Sequence, residues 1–262
     1  MNKLDNKKSR KMGFRKFSRQ KLDRIWLFGF HAVKAALNNK ERTLFRLLAT
    51  KNALNKLGNI TKFPNLPTTI LKPSEFLKFL DEKSVHQGLA LEAKTLERGS
   101  LNNLIVKKDQ GEPIIVLDRV KDPQNVGAII RSAEVLGGCA VIGSTNHCAQ
   151  ETGGLVKAAS GAFERIPYYA VTNISRSVET LKEKGYLIIG LDHSGPITLV
   201  DLLKDLKKQP IAFILGSEES GLRSLTKKKC EYLVKISTSQ NLGVLNVSNA
   251  AAVTLFAAKE FL

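Results

Sequence analysis

Ile211-Ala212-Phe213-Ile214-Leu215-Gly216-Ser217-Glu218-Glu219-Ser220-Gly221 is the stretch on which the fold turns. Five consecutive apolar residues make a buried strand, and the chain then breaks into a loop whose two glycines bracket a carboxylate. A second apolar run covers residues 232–236, followed by a polar loop. Leu245-Asn246-Val247-Ser248-Asn249-Ala250-Ala251-Ala252-Val253 then opens a small-residue helix that ends near Lys259. Short apolar strands that each finish in a Gly- or Ser/Asn-rich loop mark the carboxyl edge of a parallel sheet, where α/β folds bind ligands. Backbone N–H and C=O groups exposed in such loops hold a polar small molecule without recruiting side chains.

Upstream the same grammar repeats. Ile114-Ile115-Val116-Leu117 reads as a buried strand, and the loop Asp118 to Gly127 follows it. Residues 128–136 form a helix stopped by Gly137-Gly138. A helix start near Val126 puts Arg131 about one and a half turns in, on the face of Asn125. A strand at 140–142, helices around 155–160 and 174–184, a strand at 186–191 and a helix at 199–207 complete the alternation. The pattern predicts an α/β fold with a mostly parallel sheet covered on both faces.

Residues 25–93 read as a separate small α/β domain, and the polar residues 94–112 as a linker to the domain at 113–262. In the small domain, helical spacing runs from Gly29 to Leu37 with Asn38-Asn39 as its stop. Strands are expected at 44–49, 68–71 and 89–91, a short helix at 53–57 ending at Gly58, and a helix from an Ser74 cap to Leu80. Ahead of it, residues 1–24 carry ten lysines and arginines against Asp5 and Asp23, nearly half of the net charge of +17. With few apolar residues, this segment reads as a disordered basic arm that binds phosphates through counterion release. A solvated tail and an organellar presequence are its other readings, the latter disfavoured by lysine dominance and the two aspartates.

The positive balance points to a polyanion, nucleic acid before acidic membrane. Three cysteines without C-x-x-C spacing argue against a disulfide framework and for a reducing, cytoplasmic compartment. The apolar runs are strand-sized, short of the roughly 20 residues that a membrane span needs, so a soluble protein is expected. No G-x-G-x-x-G, Walker loop or G-x-S-x-G elbow occurs, which speaks against an oxidoreductase, a P-loop enzyme and a serine hydrolase. His147 and Cys148 lack partners at metal spacing, so no metal is expected. Taken singly, Arg131 reads as a surface ion pair, Glu218 as a loop-stabilising carboxylate, and His31 and His86 as structural hydrogen-bonders.

Taken together the polar loops are more specific. Asp122-Pro123-Gln124-Asn125-Val126-Gly127-Ala128-Ile129-Ile130-Arg131-Ser132-Ala133, Leu215 to Leu222, and Leu245-Asn246-Val247-Ser248-Asn249-Ala250-Ala251 resemble the three ordered motifs of the SpoU (TrmH) family of RNA ribose 2′-O-methyltransferases. Gly29-Phe30-His31-Ala32-Val33 and His86-Gln87-Gly88 resemble the two ends of the small RNA-binding domain that precedes the catalytic domain in many members. The resemblance covers nearly everything from Trp26 onward and is nearest to the branch that methylates a guanosine ribose in 23S rRNA. It implies a deep C-terminal trefoil knot, S-adenosylmethionine as methyl donor, and a homodimer whose site is completed across its interface.

Carried over residue by residue, Arg131, Asn125 and Glu218 become the catalytic set, with Arg131 also meeting RNA. Gly216, Ile236 and Leu245 become the cofactor contacts, with Asn246 and Ser248 as neighbours, and His31 and Lys34 fall on the RNA-binding domain. Val244 stands where many members have serine, and Ser237 where a proline is common. A tRNA ribose methyltransferase and a non-catalytic RNA-binding or ribosome-assembly protein of the same fold are the alternative readings.

Overall fold

The computed structural model describes residues 24–58, 65–97, 99–104, 112–218, 220–239 and 245–262. The basic arm up to residue 23 and Val244 lie outside them. The chain divides into two compact units, Met1–Leu96 and Glu97–Leu262.

The first unit is a four-stranded sheet of β1 (Arg24–Phe28), β2 (Leu44–Ala49), β3 (Thr68–Ile70) and β4 (Leu89–Lys94), in the order β1-β4-β2-β3. β4 pairs antiparallel with β1 and β2, and β2 pairs parallel with β3. Helix α1 (Phe30–Asn38) buries Ala32, Val33, Ala36 and Leu37, a spacing that keeps one stripe inward. Helix α2 (Lys51–Leu57) starts under Thr50, whose hydroxyl accepts from the Ala53 N–H, and stops at Gly58 in the φ > 0 region. The expected helix capped by Ser74 is instead a 3-10 helix, Pro73–Lys78, with Lys72 at its start. Pro73 supplies the first position, and the Lys72 N–H donates to the Glu75 carboxylate at 2.7 Å. Phe76, Leu80, Leu48 and Ala90 form a core beneath Trp26, Phe28, Leu71 and Phe79. Strand β1 went unread because Arg24 and Ile25 abut the basic arm.

The second unit is a seven-stranded sheet in which every pairing is parallel. In chain order its elements are β5 (Ile114–Asp118), α3 (Pro123–Leu136), β6 (Ala140–Ser144), α4 (Gly153–Ala158), β7 (Tyr168–Val171), α5 (Ile174–Glu183) and β8 (Leu187–Leu191). There follow β9 (Ile197–Thr198), α6 (Leu199–Asp205), β10 (Ile211–Gly216), α7 (Ser224–Lys227), β11 (Tyr232–Lys235) and α8 (Val247–Phe261). The strand order is β7-β6-β5-β10-β8-β11-β9, so β10 enters between β5 and β8, and β11 between β8 and β9. All of β5 and β6 is buried, the mark of central parallel strands.

On one face, Ile114, Val116, Ile142, Ala212 and Ile214 pack with Ile174, Val178 and Leu181 of α5. Leu101 and Leu104, from the stretch read as linker, are buried in this same core, and Lys184 Nζ donates to the carbonyls of Asn102 and Leu104. On the other, α8 packs against α3 and α6.

Helix α3 begins three residues earlier than the Val126 expected. Asp122 caps it by accepting from the Gln124 N–H at 2.9 Å, and Pro123 takes the first position, where its missing N–H costs nothing. No helix among the described residues is long and apolar enough to cross a membrane.

Candidate functional site

Three segments distant in sequence meet at the carboxyl edge of the seven-stranded sheet. Strand β10 ends in Gly216, in register with Asp118 at the end of β5. A Cβ on Gly216 would stand 2.1 Å from the Gly221 carbonyl carbon, so only glycine lets the loop fold back here. The loop closes through the Gly221 N–H, which donates to the Ser217 carbonyl at 2.9 Å, while Gly221 sits at φ 61. This tight turn presents Glu218 at its tip.

Glu218 Oε1 accepts from Asn125 Nδ2 at 3.1 Å and from Asn246 Nδ2 at 2.5 Å. It also accepts from the Val247 N–H at 3.4 Å, which sets a carboxylate at the positive end of α8. Asn246 Nδ2 donates to Asn125 Oδ1 at 3.2 Å as well. Its own Oδ1 accepts from the N–H and the hydroxyl of Ser248, at 2.9 and 2.6 Å, and so caps α8. Asn246 is therefore the hub, tying the first turn of α3, the β10 loop and the last helix together. Hydrogen bonds of this kind contribute about 1 kcal/mol each, and less where water competes. Their larger effect is to hold three segments in one arrangement.

Arg131 is not part of that cluster. Six residues at about 100° each leave it about 120° around α3 from Asn125, not on the same face. It is exposed, and among the described residues no hydrogen bond or ion pair joins it to Asn125 or Glu218. Ile236 follows β11 at the same edge and is half-buried, and Leu245, just before the hub, is 37% exposed. Gly216, Ile236, Leu245 and Asn246 thus offer main-chain groups and aliphatic surface. That donor set fits an adenosyl sulfonium, whose adenine needs apolar walls and backbone partners rather than a counter-charge.

Below the edge lies an arrangement the sequence reading missed. Asp118, 1% exposed, pairs with Arg223 Nε at 2.7 Å and accepts from the Thr226 hydroxyl at 2.7 Å. Lys227 Nζ lies 2.5 Å from Asp192, just past β8. Burial alone would raise the Asp192 carboxyl, but Lys227 and Ser194 outweigh it and hold the group down at about 2. Residues 223–227 thereby clamp the ends of β5 and β8, the two strands flanking β10. The readable signal was a carboxylate ending a wholly apolar strand, which requires a partner. A cavity of about 140 Å³ opens beside it, lined by Asp118, Arg119, Ser144, His147, Asn173 and Arg223.

In the first unit, His31 and Lys34 are both exposed on α1. His31 lines a cavity of about 610 Å³ together with Phe30, His86 and Gln87, whereas Lys34, one turn on, is not among its lining residues.

The SpoU rRNA Methylase family model matches residues 112–256, and the model for RNA 2′-O ribose methyltransferase substrate binding matches residues 26–99. A Coxiella burnetii protein named 23S rRNA (guanosine-2′-O-)-methyltransferase RlmB is 33% identical over 239 residues, covering 88% of this chain and 93% of its own. The protein of that name from Pasteurella multocida is 34% identical and covers 88% and 95%. Among solved structures, the AdoMet-bound rRNA methyltransferase from Sinorhizobium meliloti superposes with a TM-score of 0.78 at 20% identity, over 94% of this chain and 91% of that one. The SpoU methyltransferase AviRb from Streptomyces viridochromogenes, in complex with AdoMet, gives 0.75 at 22% identity over 92% and 91%. These solved structures share the fold, and the two models with the curated relatives settle the lineage: this chain belongs to the SpoU rRNA methylase family.

Proposed function

We propose that this protein transfers a methyl group from S-adenosylmethionine to the ribose 2′-OH of a guanosine in 23S rRNA. The observation that carries the reading is the closure of Asn125, Glu218 and Asn246 into one hydrogen-bonded cluster at the sheet edge. The family and the named relatives support the reaction class, and the net charge of +17 suits an RNA substrate.

S-adenosylmethionine, held by Gly216, Ile236 and Leu245 with Asn246 and Ser248 alongside, supplies an electrophilic methyl carried on a sulfonium. The chain's own task is then to line up the 2′-oxygen and to accommodate its loss of a proton. Arg131, exposed on α3, positions the ribose or its phosphate and stabilises the developing alkoxide charge. A free guanidinium has a pKa above 12, so positioning and charge stabilisation come before proton abstraction as its role. Asn125 and Glu218 fix the start of α3 and with it the helix that carries Arg131. His31 and Lys34 contribute RNA contacts from the first unit. In this reading the chain threads its C-terminal segment into a trefoil knot, pairs as a homodimer and works in the cytoplasm.

The test is transfer of labelled methyl from S-adenosylmethionine to 23S rRNA, with the modified ribose mapped by reverse-transcription stops. Arg131→Ala is expected to lower single-turnover methyl transfer by on the order of 100-fold or more, with RNA affinity changed only a few-fold. Near-normal transfer by that variant rejects the role given to Arg131, and no methylation by the unmodified protein rejects the reaction.

A further inference from the structure

Gly29-Phe30-His31 and His86-Gln87-Gly88 lie near opposite ends of the first unit's chain, yet they meet at the cavity of about 610 Å³. The Phe30 N–H donates to Gln87 Oε1 at 2.8 Å. With its carbonyl engaged, Gln87 has its NH₂ donors left to offer. The Gly88 N–H donates to His86 Nδ1 at 3.0 Å, so the ring nitrogen that carries hydrogen in the neutral imidazole is Nε2. The His86 ring is fixed as well as oriented: it stacks on Phe76, itself 1% exposed, at 4.1 Å and 11°. Burial lowers the His86 pKa and favours that neutral form.

The backbone here is built for the purpose. Gln87 is held at φ 52, a left-handed conformation unusual for a side-chain-bearing residue and concentrated at functional sites. Gly88 at φ 78 has no room for a Cβ, which would stand 2.5 Å from the Thr50 hydroxyl. Phe30, Asn52 and Lys56 line the same cavity. An aromatic residue, two side chains with donors to spare and a lysine make the composition that accepts one unstacked nucleotide.

We propose that this cavity takes a single splayed-out guanosine of the RNA, its base against Phe30, its O6 and N7 facing the His86 and Gln87 donors, and a flanking phosphate at Lys56. Guanine presents two adjacent acceptors on that edge, whereas adenine replaces one with an amino donor. The nucleotide is a recognition contact apart from the one that is methylated. The inference rests on the reading of RNA as substrate and sharpens it.

The test uses the full chain and fluorescein-labelled RNA nonamers, uridine throughout except for a central guanosine, adenosine or 7-deazaguanosine, read by fluorescence anisotropy. The guanosine nonamer is expected to bind about 10-fold more tightly than either of the others, the lower range for a two-bond base contact. Gln87→Glu keeps an oxygen for the Phe30 N–H and exchanges the donor for an acceptor. It is expected to erase the preference while leaving the melting temperature unchanged. Equal binding of all three nonamers by the unmodified protein overturns the proposal. A guanosine preference that survives Gln87→Glu also overturns it, by assigning the preference elsewhere. The nonamers require no variant, so a poorly folding mutant does not blunt the test. The rRNA methyl-transfer assay separates the two ideas: equal nonamer binding with intact methylation removes only the guanosine pocket.

Discussion

At the edge of the large sheet, Asn125, Glu218 and Asn246 satisfy one another, whereas in the first unit Gln87 and His86 have their acceptors satisfied by backbone N–H groups, which leaves their donors for a ligand. The two arrangements use similar residue types to different ends. A network whose members pair among themselves holds geometry, and one with donors left over advertises a ligand. On the proposed reading the cluster positions and the cavity recognises.

The sharpest way to break this contrast is Asn246→Ala. It removes both donors to Glu218 and Asn125 and the cap on α8. Displacing a positioning loop by about 1 Å costs on the order of 100-fold in rate, so single-turnover methyl transfer is expected to fall by about that factor. Full activity would reduce the cluster to a loop tie.

A smaller effect separates two glycines of the second unit. Gly127→Ala would bring a Cβ within 2.5 Å of the Leu155 carbonyl and the Ala158 side chain, wedging α3 from α4. Overpacking of this kind costs about 1–3 kcal/mol, and calorimetry should register a drop of roughly 2–4 °C for each kcal/mol. Gly137→Ala meets no atom within 4 Å and bears only the strain of a left-handed φ of 84, about 1 kcal/mol. Equal losses would deny that helix packing, rather than local backbone, limits the second unit.

The smallest effect lies in acid. Asp192 is held at about 2 against an ordinary 3.8. Its stabilisation is therefore present above pH 3.8 and lost as pH falls toward 2. His86 is lowered from 6.5 by burial, so its neutral form contributes fully above pH 6.5 and that contribution fades as pH falls through the lowered value. Trp26, the single tryptophan, packs against the core beside Phe76 and reports on the first unit. Its fluorescence midpoint in urea should start to fall once pH drops below 6.5, while the second unit holds until below pH 3.8. Coincident acid limbs would show the units to be one cooperative system.

Much of this architecture is legible in the chain because parallel strands are apolar on both faces. Ile114 to Leu117 and Ile211 to Leu215 can be read as buried strands with no knowledge of what surrounds them. Strands β7 and β9 carry no such run: Tyr168–Val171 is partly exposed and Ile197–Thr198 is two residues long. The start of α3 was written in Asp122-Pro123 and was masked by the motif that follows. The meeting of Asn125 with Glu218 spans 93 residues, and that with Asn246 spans 121. Composition and periodicity carry no such information, and the ordered motifs did. The Arg223–Lys227 clamp and the donor polarity of Gln87 needed coordinates, since each depends on which atom of a side chain is already engaged.

The entry of β10 between β5 and β8 has a temporal consequence. Ile114 waits for Ala212 as its register partner, so one side of β5 lacks its neighbour until nearly a hundred further residues have been made. At roughly 5–20 residues per second, translation leaves that hydrogen-bonding edge bare for about 5–20 seconds. During that interval the nascent sheet is open to pairing with other chains, and a ribosome-associated chaperone has its clearest reason to be there.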